Sequence, residues 1–157
     1  MHGMADRAAV IAPPPLLTAL CIGAGVAVGH FKPFPLFQNP GLLPRIATCA
    51  LLVVAGGLLF SAILQFTTHK EHPSPYKPTH AILSTGVYRF TRNPIYVSLL
   101  IVVIAVAIGF NSLWVLSSIV PLFLLLQFGV VLPEEKYLST KFGNGYDDYR
   151  RRVRRWI

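Results

Sequence analysis

The chain has 157 residues, 54% of them hydrophobic and only 13% charged, with a net charge of +8. A soluble domain carries roughly 25% charged residues, so a soluble fold of this make-up would leave large apolar patches in water, and disorder is excluded because it needs low hydrophobicity. What remains is an all-α integral membrane protein forming a single domain over residues 1–157.

The first apolar stretch runs from Pro13 to Phe31. Only Arg7 precedes it among basic residues, three prolines open it, and no small-residue cleavage site follows, so it is expected to be a retained span. Gly23, Gly25 and Gly29 lie inside this apolar helix rather than after a strand, which is the wrong setting for a dinucleotide fingerprint. The four-residue step from Gly25 to Gly29 predicts a close helix–helix contact instead. The second span runs from Leu42 to Phe66. Cys21 and Cys49 sit within these two stretches, each without a second cysteine nearby, and are expected to be small buried packing residues.

A polar loop from Thr67 to Pro94 follows, kept extended in its first half by prolines 73, 75 and 78. The apolar block from Ile95 to Leu132 is too long for one crossing, and Gly109-Phe110-Asn111-Ser112 breaks it into a helical hairpin whose first arm is short. The expected total is about four spans: two in residues 1–66, and a hairpin with its tail in a core over 67–157. In the tail, Gly143-Asn144-Gly145 ends one helix. Tyr146, Tyr149, Val153 and Trp156 then share one helical face, which predicts an amphipathic helix lying on the membrane surface.

Counting Lys and Arg in the flanks puts 12 of 14 on one side, so both termini, the polar loop and the tail are expected in the cytoplasm. Five arginines lie between Arg150 and Ile157. Next to a span they suit anionic lipid headgroups, and nucleic acid is not expected as a partner. His69, His72 and His80 with Glu71 lie on a proline-rich loop that does not complete a ligand set, so no metal is expected.

The chemistry must therefore sit in the loop, the tail, or between helices. Pro94 fits a first helical turn with Asn93 as its cap. That role does not explain why Tyr88, Arg89, Arg92 and Tyr96 crowd the same helix start. Glu134 and Glu135 could simply complement a helix dipole, but acids at membrane depth are expensive and usually functional.

The segment Leu83-Ser-Thr-Gly-Val-Tyr-Arg-Phe-Thr-Arg-Asn-Pro-Ile-Tyr96, the apolar hairpin, Pro133-Glu-Glu-Lys-Tyr-Leu138 and Phe142-Gly-Asn-Gly-Tyr-Asp-Asp-Tyr149 together resemble the isoprenylcysteine carboxyl methyltransferase and phospholipid methyltransferase family. Val87, Asn93 and Ser98 depart from its usual Pro, His and Gly. The resemblance implies a small prokaryotic-type member in a bacterial or archaeal cell membrane. It implies S-adenosylmethionine as cofactor, with Gly86, Tyr88, Asn93, Pro94, Tyr96, Glu134, Glu135, Tyr146 and Tyr149 around it. Arg89, Arg92 and Asn93 would serve the reaction, the two arginines facing a small lipophilic acceptor that is a carboxylate, an amine or a thiol. Two other readings compete: a membrane reductase of related architecture using a nicotinamide cofactor, and a non-enzymatic protein whose basic tail binds anionic lipid.

Overall fold

The computed structural model describes residues 8–69, 71 and 79–157, and the described chain is helical with no strand. Arg7, Lys70, His72 and Lys77, which entered the charge and metal readings, lie outside the described residues. Helix α1 spans Pro14–Phe31 and α2 spans Leu42–Thr68. After a short 3-10 turn at Gly86–Arg89 comes α3, Pro94–Gly109. A long helical rod follows, built from α4 (Leu113–Ser117), α5 (Ile119–Leu126), a wide π turn (Gln127–Val131) and α6 (Leu132–Phe142). Helix α7, Asn144–Arg152, folds back from its end.

Three helices among the described residues are long and apolar enough to cross a membrane: α1, α2 and the 30-residue rod Leu113–Phe142. The fourth expected span, α3, has 16 residues, about 24 Å at 1.5 Å per residue, and is short for the ~30 Å hydrocarbon layer. The outward faces of α1 and α2 carry bare Leu20 and Phe31, and Leu43, Val53 and Phe60, respectively. In water this would be a liability; in lipid it is the ordinary surface. Cys49 belongs to that outward face and is exposed, so the expectation that it is a buried packing residue is corrected; Cys21 is half-buried.

Helix α2 lies along α3, and α1 packs on α4 while also touching α3 and α5. The core joins Leu17 of α1 to Val103 of α3 and to Leu122, Leu126, Val130 and Val131 of the rod. Gly25 makes the contact its spacing predicts. A Cβ there would sit 2.8 Å from the Val115 Cα and 2.9 Å from the Trp114 carbonyl, so the helices touch backbone to backbone. At Gly29 a Cβ would come within 3.2 Å of Ser112 Oγ. Gly25→Val is expected to push α1 from α4 and cost about 1–3 kcal/mol in a detergent unfolding titration. Gly23→Val is the control, because a Cβ at Gly23 meets nothing within 4 Å.

The end of the bundle at the hairpin tip is tied by backbone and side-chain bonds. Asn111, at φ +49°, accepts from Phe37 N at 2.8 Å and donates to Phe37 O at 2.9 Å. Trp114 Nε1 donates to Lys32 O at 2.6 Å. The opposite end holds the polar loop, the start of α3 and the tail, and there the packing opens into a cavity.

Candidate active site

The 3-10 turn brings the chain to the start of α3. It needs Gly86 for its first residue: φ is +57°, and a Cβ would stand 2.5 Å from Gln65 Nε2. Only glycine adopts that backbone without strain. Thr85 Oγ1 donates to Gln65 Oε1 at 2.7 Å, which ties the turn to the end of α2. Tyr88 is thereby buried against Ala62 and Leu83, with Phe66 edge-on at 5.9 Å between centroids.

Five residues after the 3-10 turn ends at Arg89, Pro94 opens α3 as expected, but Asn93 does not cap it with its side chain. The Asn93 amide Nδ2 instead donates to Arg155 O at 2.8 Å. That bond belongs to a larger return of the chain. Arg92 N donates to Arg154 O at 2.9 Å, and Thr91 and Arg154 form a parallel bridge. The surface helix expected through Trp156 therefore stops at Arg152, and Val153 is extended at φ −120°, ψ 132°. Trp156 lies beyond the helix and is half-buried. Its Nε1 donates to Gln127 Oε1 at 2.9 Å, and its ring packs on Phe123 at 5.1 Å. The physical reason is the unpaired glutamine within an apolar rod, which must find a partner.

Between these elements lies a cavity of about 870 Å3, its open mouth included. The start of α3 supplies Arg92, Asn93, Pro94, Ile95 and Tyr96. Helix α6 supplies Glu134, Glu135, Tyr137 and Leu138, and α7 supplies Tyr146 and Tyr149. Tyr88, Phe66 and the segment Thr79–Leu83 close the remaining wall. Glu134 and Glu135, in the first turn of α6 just after the π turn, both line this cavity.

The two acids have different partners. Glu134 is half-buried, and its Oε1 accepts from the Tyr96 hydroxyl at 2.8 Å. Glu135 is buried and ion-paired: Arg92 Nη1 stands 2.9 Å from its Oε1, with the two side chains 8% and 10% exposed. Arg155 grips the same carboxylate with Nε on Oε1 at 2.9 Å and Nη2 on Oε2 at 2.8 Å. Arg92 Nη1 also reaches the Tyr146 hydroxyl at 3.4 Å. The Arg92 Nε is buried with no hydrogen-bond partner among the described residues.

The tyrosines of α7 close the cavity from the tail side. The Tyr149 hydroxyl donates to Tyr88 O at 2.7 Å, and the Tyr146 and Tyr149 rings lie 6.1 Å apart. Burial pushes the hydroxyls of Tyr88, Tyr146 and Tyr149 above the usual phenol range, with Glu135 adding to the effect at Tyr146 and Tyr146 adding to it at Tyr149. All three therefore act as neutral donors at physiological pH. Tyr149→Phe orphans the buried Tyr88 carbonyl and is expected to cost about 1–2 kcal/mol in unfolding measurements.

Of the expected site residues, Tyr88, Arg92, Asn93, Pro94, Tyr96, Glu134, Glu135, Tyr146 and Tyr149 all line this cavity. Two do not. Gly86 shapes the turn from behind, against Gln65. Arg89 is exposed, and its guanidinium lies 5.3 Å from the centroid of the Phe90 ring rather than in the cavity. Among the three loop histidines, His69 Nδ1 lies 2.9 Å from Gln65 O, and His80 N donates to the buried Glu71 Oε1 at 2.9 Å. Arg155 was read only as part of a lipid-facing run. The signal that could have found it is the buried Glu135, since a carboxylate in that position demands a partner.

The phospholipid methyltransferase family model matches residues 43–145. An uncharacterized protein of Haemophilus influenzae is 40% identical over 63 residues, which are 40% of this chain and 98% of that protein. No solved structure matches the chain.

Proposed function

Because the chain belongs to the phospholipid methyltransferase family, we propose that it transfers a methyl group from S-adenosylmethionine to a small lipophilic acceptor. The observation that carries this reading is the meeting of Arg92, Tyr96, Glu134, Tyr146 and Tyr149 around one cavity at the end of the bundle.

The donor set suits that cofactor. The Glu134 carboxylate would accept hydrogen bonds from an ammonium or from ribose hydroxyls. The unpartnered Arg92 Nε marks a guanidinium with donors to spare, which suits the cofactor carboxylate or an anionic acceptor. The faces of Tyr88, Tyr146 and Tyr149 would flank the adenine. When bound, the cofactor supplies an electrophilic methyl group on a sulfonium.

The protein's own part is placement and the exclusion of water. Methyl transfer is a displacement at carbon, so fixing the reacting atoms in line provides most of what the reaction requires. Tyr96 holds the Glu134 carboxylate in one orientation. Tyr149, bonded to the Tyr88 carbonyl, shuts the tail over the cavity. Phe66, Ile82, Leu83, Ile95 and Leu138 give the cavity apolar walls that suit a lipophilic acceptor arriving from the bilayer. Among the described residues, the part of the chain before the polar loop adds only Ala8, ahead of α1, and Phe66 of α2 to the lining. On the charge count of the flanks, the cavity and both termini face the cytoplasm.

The detergent-purified chain is expected to bind S-adenosylmethionine and S-adenosylhomocysteine in a calorimetric titration and to ignore NADPH. Labelled S-adenosylmethionine is expected to pass its methyl group into the lipid fraction of a bacterial membrane extract. Binding of NADPH alone would replace this reading with a reductase.

A further inference from the structure

Glu135 is held by two guanidinium groups, and they are not equivalent. Arg155 takes both carboxylate oxygens through a fork, Nε on Oε1 and Nη2 on Oε2. Arg92 reaches only Oε1, through Nη1, and its buried Nε has no hydrogen-bond partner among the described residues. The cluster thus holds two cations and one anion around the cavity wall. Without Arg155, the cheapest arrangement for Glu135 is a two-bond pair with Arg92, because a buried carboxylate and guanidinium satisfy each other best bidentately. That pair would be neutral, and a side-on fork would commit the Arg92 Nε donor that now has no partner.

We propose that Arg155 is a positioning residue: it occupies Glu135 and so keeps the Nε donor of Arg92 free for a carboxylate of the bound ligand. The division of labour between the adjacent acids follows from it. Glu135 is a structural counter-ion, and Glu134 is the acid that meets the ligand.

The placement of Arg155 is built rather than incidental. Its carbonyl accepts from Asn93 Nδ2 at 2.8 Å and from Thr91 Oγ1 at 3.3 Å. Its neighbours are fixed as well, Arg154 O by Arg92 N and Trp156 by Gln127. Arg150 and Arg151 differ: they are exposed on α7 and pair with Asp147 and Asp148 on their own helix. The inference rests on the methyltransferase reading only for the identity of the ligand, since S-adenosylmethionine carries a carboxylate.

Two measurements test it, and the first needs no ligand. In 15N spectra of arginine side chains, recorded on the full chain in detergent micelles, Arg155→Gln is expected to shift the Arg92 Nε–H signal and slow its exchange with water as Glu135 takes that donor. An unchanged Arg92 signal overturns the proposal. The second is calorimetric. Arg155→Gln is expected to weaken S-adenosylhomocysteine about tenfold, while 5′-methylthioadenosine, which lacks the carboxylate, binds as before. Arg155→Gln/Glu135→Gln is expected to restore S-adenosylhomocysteine to within about threefold of the unaltered chain, because the competing carboxylate is gone. Equal losses for both ligands, or no recovery in the double variant, would mean that Arg155 only anchors the tail, and the proposal fails. If the unaltered chain binds neither ligand while the Arg92 signal shifts as expected, the cofactor reading falls and the role of Arg155 stands.

Discussion

Glu134→Gln is expected to weaken S-adenosylhomocysteine binding by about tenfold or more while leaving the unfolding midpoint nearly unchanged. The substitution is conservative toward the fold. The glutamine carbonyl can still accept from the Tyr96 hydroxyl, which now stands 2.8 Å from Glu134 Oε1. What disappears is the carboxylate that a bound ammonium would hold in its charged form. A hydrogen bond to a charged group contributes roughly 1.5–3 kcal/mol, against about 1 kcal/mol for a neutral one. Calorimetry on the variant and the unaltered chain under the same detergent would measure the difference. Equal affinities would remove Glu134 from the ligand-binding set.

Glu135→Leu is expected to do the opposite, costing about 3–5 kcal/mol of stability. Its carboxylate is the counter-ion of Arg92, whose side chain is only 8% exposed. Arg155, at 36% exposure, can turn to solvent when Glu135 is lost. Arg92 cannot, and an uncompensated buried charge accounts for most of the expected cost. The double variant Arg92→Leu/Glu135→Leu is accordingly expected to recover much of that loss, since removing both charges of a buried pair is often close to neutral. Unfolding titrations in mixed detergent would read both. A Glu135→Leu chain within about 1 kcal/mol of the original would show that the pair is wetter than its burial implies. Two adjacent carboxylates thus separate cleanly, one by ligand affinity and the other by stability.

The spans were legible because membrane insertion imposes length and apolarity directly on the sequence. The break at Gly109–Ser112 was legible for a related reason: a 38-residue apolar run cannot be one crossing. The Gly25–Gly29 contact followed from spacing alone. The site was only partly legible. Residue types suggested that Arg92, Tyr96 and the two acids were functional, but their convergence came from the family resemblance, because no local periodicity links residue 92 to residue 135.

The tail was misread for a definite physical reason. Tyr146, Tyr149, Val153 and Trp156 keep helical spacing, and the helix holds as far as Arg152. Beyond it, pairing of Arg154 with Thr91 and of Trp156 with Gln127 outweighs the local preference. Long-range pairing of this kind leaves no period in the sequence. Arg89 was misplaced similarly. One residue type at a crowded helix start looks like another, and only the 3-10 turn decides that Tyr88 points inward while Arg89 stays exposed.

The return of the tail also sets an order in time. Asn93 and Arg155, which share a hydrogen bond, are 62 residues apart in the chain. At roughly 5–20 residues per second, synthesis of that interval takes about 3–12 s. Helix insertion and close packing of α1, α2 and α3 need no residue beyond the rod. For those seconds the start of α3 exists with neither the tyrosine wall nor the second guanidinium of its cavity. The second guanidinium, 20 residues beyond the acid it holds, is among the last groups made, so the site is the last part of the fold to be completed.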